Sequence, residues 1–116
     1  MGRHMARNLH EAGLLATTWN RTAAVAGEFA RETGIPAAAS PAALAAGVDA
    51  IVICVSADAD VLAVVLAIAP AVRPGTLVID CSTVSAGTAR EAAALLAPRG
   101  AAFLDCPVSG GVEGAR

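Results

Sequence analysis

Four short polar stretches in this 116-residue chain could do chemistry, and each follows an apolar run of strand length. They are Asn20-Arg21-Thr22, Val55-Ser56-Ala57-Asp58, Cys81-Ser82-Thr83 and Cys106-Pro107-Val108-Ser109-Gly110-Gly111. In open α/β sheets, ligands bind beyond the carboxyl ends of the strands, where loops lead into helices. The four stretches therefore read as one binding crevice, with a nucleotide as the favoured occupant. Other candidates are weaker. His4 and His10 lie six apart on one helical stretch, share no face, and read as surface residues. Asp58, Asp60 and Ser56 read as helix-capping groups. Cys54, Cys81 and Cys106 each close an apolar run, and read as small buried hydrophobes. They are too few and too far apart in sequence for a metal motif or a disulfide framework. Pattern alone names no reaction.

The elements that must position these stretches alternate. Gly2–Ala12 carries Met5, Leu9 and Ala12 at helical spacing, with Gly13 as a stop. Leu14–Trp19 is a short strand-like run. A second helix spans Ala23 to about Glu32 and closes at Gly34. A brief extended piece near Ala37–Ala39 precedes Ser40-Pro41, a cap and a first-turn proline opening a small helix that ends at Gly47. Asp49–Val55 and Thr76–Asp80 are nearly continuous apolar runs, as expected of strands buried on both faces of a parallel sheet. Between them Val61–Val72 reads as a helix. Ser85 caps another helix running to about Ala97, and Ala101–Asp105 is the last strand. The order predicts an α/β fold, a Rossmann-like doubly wound parallel sheet. Its opening is odd, because a helix comes first with no strand ahead of it.

Composition narrows the function classes. Net charge is −2, with the basic residues scattered, so no nucleic-acid footprint is visible. The uncharged stretch Val61–Val72 is too short to span a membrane and contains Pro70. No apolar signal region follows Met1-Gly2-Arg3-His4-Met5, so a cytoplasmic location is the expectation. The apolar share is 56%, and much of it is alanine, so the core must come from Val, Ile, Leu and Ala. All eight basic residues are arginine.

Three segments carry a resemblance. Met1-Gly2-x-x-Met5-Ala6-x-Asn8-Leu9 matches the end of a G-L-G-x-M-G-x-x-M-A-x-N-L fingerprint. Asp80-Cys81-Ser82-Thr83-Val84 matches D-x-S-T-V, and Asp105 to Arg116 matches D-A-P-V-S-G-G-x-x-G-A. In this order the chain resembles the N-terminal part of the β-hydroxyacid dehydrogenases, the 3-hydroxyisobutyrate dehydrogenase group, and more distantly 6-phosphogluconate dehydrogenase. The resemblance covers the whole chain. It implies hydride transfer between a nicotinamide cofactor and a β-hydroxyacid or its semialdehyde, in an enzyme that is a homo-oligomer when whole.

The resemblance also assigns residues. Gly2 would open a helix whose N–H groups face the cofactor pyrophosphate. Val55 and Ser56 would pass beneath the nicotinamide ribose, and Thr83 would lie near nicotinamide and substrate. Ser109, Gly110 and Gly111 would hold the substrate carboxylate. Asn20, Arg21 and Thr22 stand where NAD-specific domains place an acidic residue on the ribose hydroxyls. A neutral Asn followed by Arg favours a 2′-phosphate, hence NADP over NAD. Three departures matter: two earlier glycines, the first strand of the sheet, and the acid–base lysine, which in the resembling family follows the S-G-G loop. The expectation is a partial dinucleotide-binding domain over residues 1–116, its first strand missing and a C-terminal helical domain absent. As an isolated chain it would be inactive and poorly stable. The alternative is a non-catalytic dinucleotide-binding or interaction module.

Overall fold

The computed structural model describes residues 1–115; Arg116, the end of the third matching segment, lies outside the described residues. Helix α1 (Gly2–Glu11) is followed by α2 (Ala23–Thr33), α3 (Pro41–Ala46) and strand β1 (Ala50–Ile53). Then come α4 (Asp58–Ile68), β2 (Leu77–Asp80), α5 (Ala86–Leu96), a 3₁₀ turn (Ala97–Arg99), β3 (Ala102–Asp105) and α6 (Gly111–Ala115). The strands form one parallel sheet in the order β1-β2-β3. Ile53, Asp80 and Asp105 stand side by side at its carboxyl edge. This is the second half of a doubly wound sheet, laid down in chain order.

Local chemistry explains most boundaries. Ser40 accepts a hydrogen bond from the Ala43 N–H (3.0 Å), with Pro41 in the first turn of α3. Ser85 accepts one from the Thr88 N–H (3.2 Å) and starts α5. Gly34 ends α2 at φ 79°, a left-handed position that glycine takes without a Cβ clash. Helix α4 starts three residues before the expected Val61, because Asp58 and Asp60 suit the positive end of the helix dipole. It stops at Ile68, not Val72, since Pro70 offers no N–H to continue the ladder.

Helices α3, α4 and α5 pack on one face of the sheet. Ala45, Val61, Val65, Ile68, Ala92 and Leu96 meet Ile51, Ile53 and Val78 in the core, most of them fully buried. Contrary to expectation, the strands are buried on one face only. Val52, Leu77 and Leu104 point the other way and stay 41%, 37% and 48% exposed. No described helix seals that face over β2 and β3, so the strands alternate as half-buried ones do.

A second correction concerns Leu14–Trp19. It is no strand: Thr18 alone bridges Ala37, through the Ala38 N–H to Thr18 O (2.7 Å) and the Thr18 N–H to Pro36 O (3.2 Å). The cause is a missing neighbour. A cavity of about 1030 Å³ separates Leu14–Trp19 from β1, lined by Leu15, Ala16, Thr18, Ile51 and Val52 among others. With only one side available, the segment cannot build a ladder. Leu14 is left 74% exposed, and α1 buries no residue fully.

The two halves should therefore differ in local stability. Amides of β2 should exchange with solvent slowest, and those of Leu15–Trp19 fast, apart from Thr18. Native-state hydrogen exchange resolved by residue checks this; equal protection in both segments would contradict it.

Candidate functional site

The carboxyl edge of the sheet is organised by side chains that bond to backbone. Ser82 is buried, and its Oγ accepts a hydrogen bond from the Val55 N–H at 2.9 Å, pinning the loop after β1 to the loop after β2. The Ser82 N–H in turn donates to Asp80 Oδ1 at 2.9 Å. Asp80 is fully buried, and its Oδ2 has no hydrogen-bond partner among the described residues. Neither residue stood out in sequence, where the D-x-S-T segment drew attention to Thr83 instead.

Asp58 ties the next loop. Its Oδ2 accepts hydrogen bonds from the Ser85 N–H (3.0 Å) and the Thr88 hydroxyl (2.7 Å). The Ser85 N–H, followed by the Thr88 hydroxyl, holds the Asp58 carboxyl below the ordinary carboxylate range. Asp58 therefore clamps α5 to α4 rather than capping its own helix, whose cap position is Ala57. Ser56 is not a cap either; it is exposed beside the large cavity. Asp60 makes a different contact, an ion pair of 3.0 Å with Arg21.

The large cavity gathers six of the residues singled out in sequence: Gly2, Asn20, Arg21, Thr22, Val55 and Ser56. Asn20 accepts the Thr22 N–H on its Oδ1 (2.9 Å), a local turn that presents Arg21 outward, 80% exposed. Gly2 sits against the end of β1: a Cβ built there would lie 3.5 Å from Cys54 Cβ. Helix α1 thus begins at the carboxyl edge, and no acidic residue lies in its first turn. Helix α4 carries Asp58 and Asp60 there. Of these two helix N-termini, that of α1 is the one suited to an anion.

Ser109 and Gly111 line a separate cavity of about 310 Å³, with Met1, Met5, Asn8 and Gly114. Gly110 lies between them at φ 98°, which only glycine adopts readily. Helix α6, not anticipated from sequence, carries this loop toward α1, where Asn8 Nδ2 donates to Ala115 O at 2.7 Å. Thr83 is exposed and lines neither cavity. On the outer side, Arg3 and Arg7 both reach Glu32 (2.6 and 2.7 Å), joining α1 to α2.

The reading of the three cysteines as buried hydrophobes holds for one of them. Cys81 is buried, Cys54 half-buried and Cys106 exposed. Each follows the last registered residue of its strand, so the sheet lines them up.

Residues 1–116 match the family described as the NAD binding domain of 6-phosphogluconate dehydrogenase. The chain belongs to that family. An oxidoreductase of Shewanella frigidimarina is 41% identical over 118 residues, covering 99% of this chain and 40% of the relative. The solved structure of Mycobacterium tuberculosis 3-hydroxyisobutyrate dehydrogenase with L-serine superposes with a TM-score of 0.90 at 34% identity. That match covers 98% of this chain and 39% of the other. A reductive aminase from Aspergillus terreus, in complex with NADPH and ethyl-5-oxohexanoate, follows at 0.73 and 30%, covering 89% and 35%. This dinucleotide-binding domain thus spans about two-fifths of the length of the first relatives it matches. No described helix is long and apolar enough to cross a membrane.

The Asp58 clamp has a definite pH signature. A carboxylate with a lowered folded pKa stabilises above its unfolded value, about 3.9, and loses that contribution as pH falls through the lower folded value. Replacing Asp58→Ala should weaken protection of α5 amides near neutrality. The gap from the parent should close in acid, as read by hydrogen exchange. A gap independent of pH would contradict the clamp.

Proposed function

We propose that this chain is the cofactor-binding part of an NADP-preferring oxidoreductase acting on a β-hydroxyacid or its semialdehyde. One observation supports the reading: Gly2, Asn20, Arg21, Thr22, Val55 and Ser56 all line the large cavity. When bound, the nicotinamide supplies the hydride-transfer chemistry. The chain's own residues bind and orient. The first N–H groups of α1 face the pyrophosphate, and Val55 and Ser56 lie under the ribose. Thr83, exposed after β2, faces nicotinamide and substrate in this reading. Ser109, Gly110 and Gly111 take the substrate carboxylate, on the loop that α6 holds beside α1.

Arg21 selects the cofactor. Its guanidinium is exposed and held by Asp60 alone among the described acids, through a contact that water screens, so a phosphate can displace it at small cost. No acidic residue stands among Asn20, Arg21 and Thr22 to favour free ribose hydroxyls. The sequence contains no lysine, so the isolated chain binds without turning over. The whole protein is a cytoplasmic homo-oligomer in this reading.

Trp19, the single tryptophan, lines the cavity and reports binding by its fluorescence. NADPH should bind more tightly than NADH. Arg21→Asp should weaken NADPH by about tenfold or more, given ~1.5–3 kcal/mol for a hydrogen bond to a charged group. Asp60→Asn should tighten NADPH several-fold by freeing Arg21. Equal affinity for both cofactors would remove Arg21 from the reading, and no binding of either would overturn it.

A further inference from the structure

Cys81 and Cys106 have no role in the cofactor reading, yet they follow neighbouring strands of the sheet. Cys81 N–H donates to Ile53 O (2.8 Å), and Cys106 N–H donates to Asp80 O (2.8 Å). These are the closing bonds of the Ile53–Asp80 and Asp80–Asp105 pairs, and they bring Cys54, Cys81 and Cys106, the next residue after each strand, to neighbouring strand ends. Neighbouring strands lie about 4.8 Å apart, within the Cα separation of about 4.4–6.8 Å that disulfides span. Beyond the cysteines the ladder stops, because the Val55 N–H bonds to Ser82 Oγ and the Ser82 N–H to Asp80 Oδ1 instead of to the neighbouring strand.

From this juxtaposition we propose that Cys81 and Cys106 form a peroxide-driven, reversible disulfide that ties the Ser82–Thr83 loop to the Pro107–Gly111 loop. Exposure separates their roles. Cys106 is open to solvent and meets the oxidant first; Cys81 is buried beside it and resolves the product. Burial, then the neighbouring Cys106, Cys54 and Asp80, push the Cys81 thiol above its ordinary value, which disfavours it as the first nucleophile. In the first step the Cys106 sulfur attacks a hydroperoxide. The O–O bond breaks, an alcohol or water leaves, and Cys106 becomes a sulfenic acid. In the second step the Cys81 sulfur attacks the Cys106 sulfur. The S–O bond breaks, the S–S bond forms, and hydroxide leaves with the thiol proton as water. Two thiols are oxidised by two electrons and one peroxide is reduced. Cys54 is the less suited partner, since its side chain packs toward Gly2 at the start of α1. No bound cofactor takes part, so this chemistry stands apart from the proposed function.

The test is oxidation of the native chain with one equivalent of hydrogen peroxide, followed by thiol counting and peptide mapping. Cleavage before aspartate separates the three cysteines, because Asp80 lies between Cys54 and Cys81 and Asp105 between Cys81 and Cys106. The expected result is a fall from about three free thiols to about one, a Cys81–Cys106 linked peptide, and full recovery with dithiothreitol. Cys54→Ser should form the same link, and Cys106→Ser should keep both remaining thiols. A parallel oxidation in urea gives the unfolded pattern. Identical mixtures of pairings in native and unfolded chains would overturn the proposal. So would a Cys54–Cys81 link, a disulfide-joined dimer through Cys106, or sulfinic acid on Cys106 alone.

Discussion

The register that sets Ile53, Asp80 and Asp105 abreast positions three of the four polar loops of chemical interest in this chain. Parallel strands place all their carboxyl ends on one edge, so three loops far apart in sequence emerge together. The buried side chains of Ile51, Ile53, Val61, Val65, Val78 and Leu96 hold that register by packing α4 and α5 against one face. Each such side chain contributes about 1.5–3 kcal/mol by leaving water. The polar bonds at the edge then act on a frame already fixed: Ser82 on Val55, Asp80 on Ser82, and Asp58 on Ser85.

The other half of the molecule shows what happens without such a frame. Leu14–Trp19 has the composition of a strand but one neighbour, and it makes a single bridge. Exposed ion pairs tie this half together and to the rest: Arg3 and Arg7 on Glu32 join α1 to α2, and Arg21 on Asp60 reaches α4. Exposed pairs stabilise little, with a median of about 0–1 kcal/mol. Under the proposed function that looseness suits Arg21, which would exchange Asp60 for a phosphate.

Much of this was legible in the sequence, for physical reasons. The strands at Ala50–Ile53 and Leu77–Asp80 announced themselves because their apolar runs end in turn chemistry, and Ser40-Pro41 and Ser85 marked helix starts. Asn20, Arg21, Thr22, Val55 and Ser56 were legible because loops after apolar runs in an α/β alternation converge, and Gly2 through the family fingerprint that it matches. Three features were not. Helix α6 has five residues, two of them glycine, too short for a periodic signal. The Arg21–Asp60 pair joins residues 39 apart, across halves whose spacing no local pattern encodes. The cysteine row depends on register, a tertiary property, and so does the burial of Asp80 and Ser82. Thr83 drew attention from its motif, while its neighbour Ser82 makes the buried bond.

The account rests on the carboxyl edge being the dinucleotide site, and amide chemical-shift mapping with NADPH tests that most directly. The expected result is perturbation at Gly2–Met5, Asn20–Thr22 and Val55–Asp58, with the amino-edge residues around Asp49 and Thr76 unmoved. Shifts centred on the amino edge, or on the exposed Val52, Leu77 and Leu104 face, would contradict it.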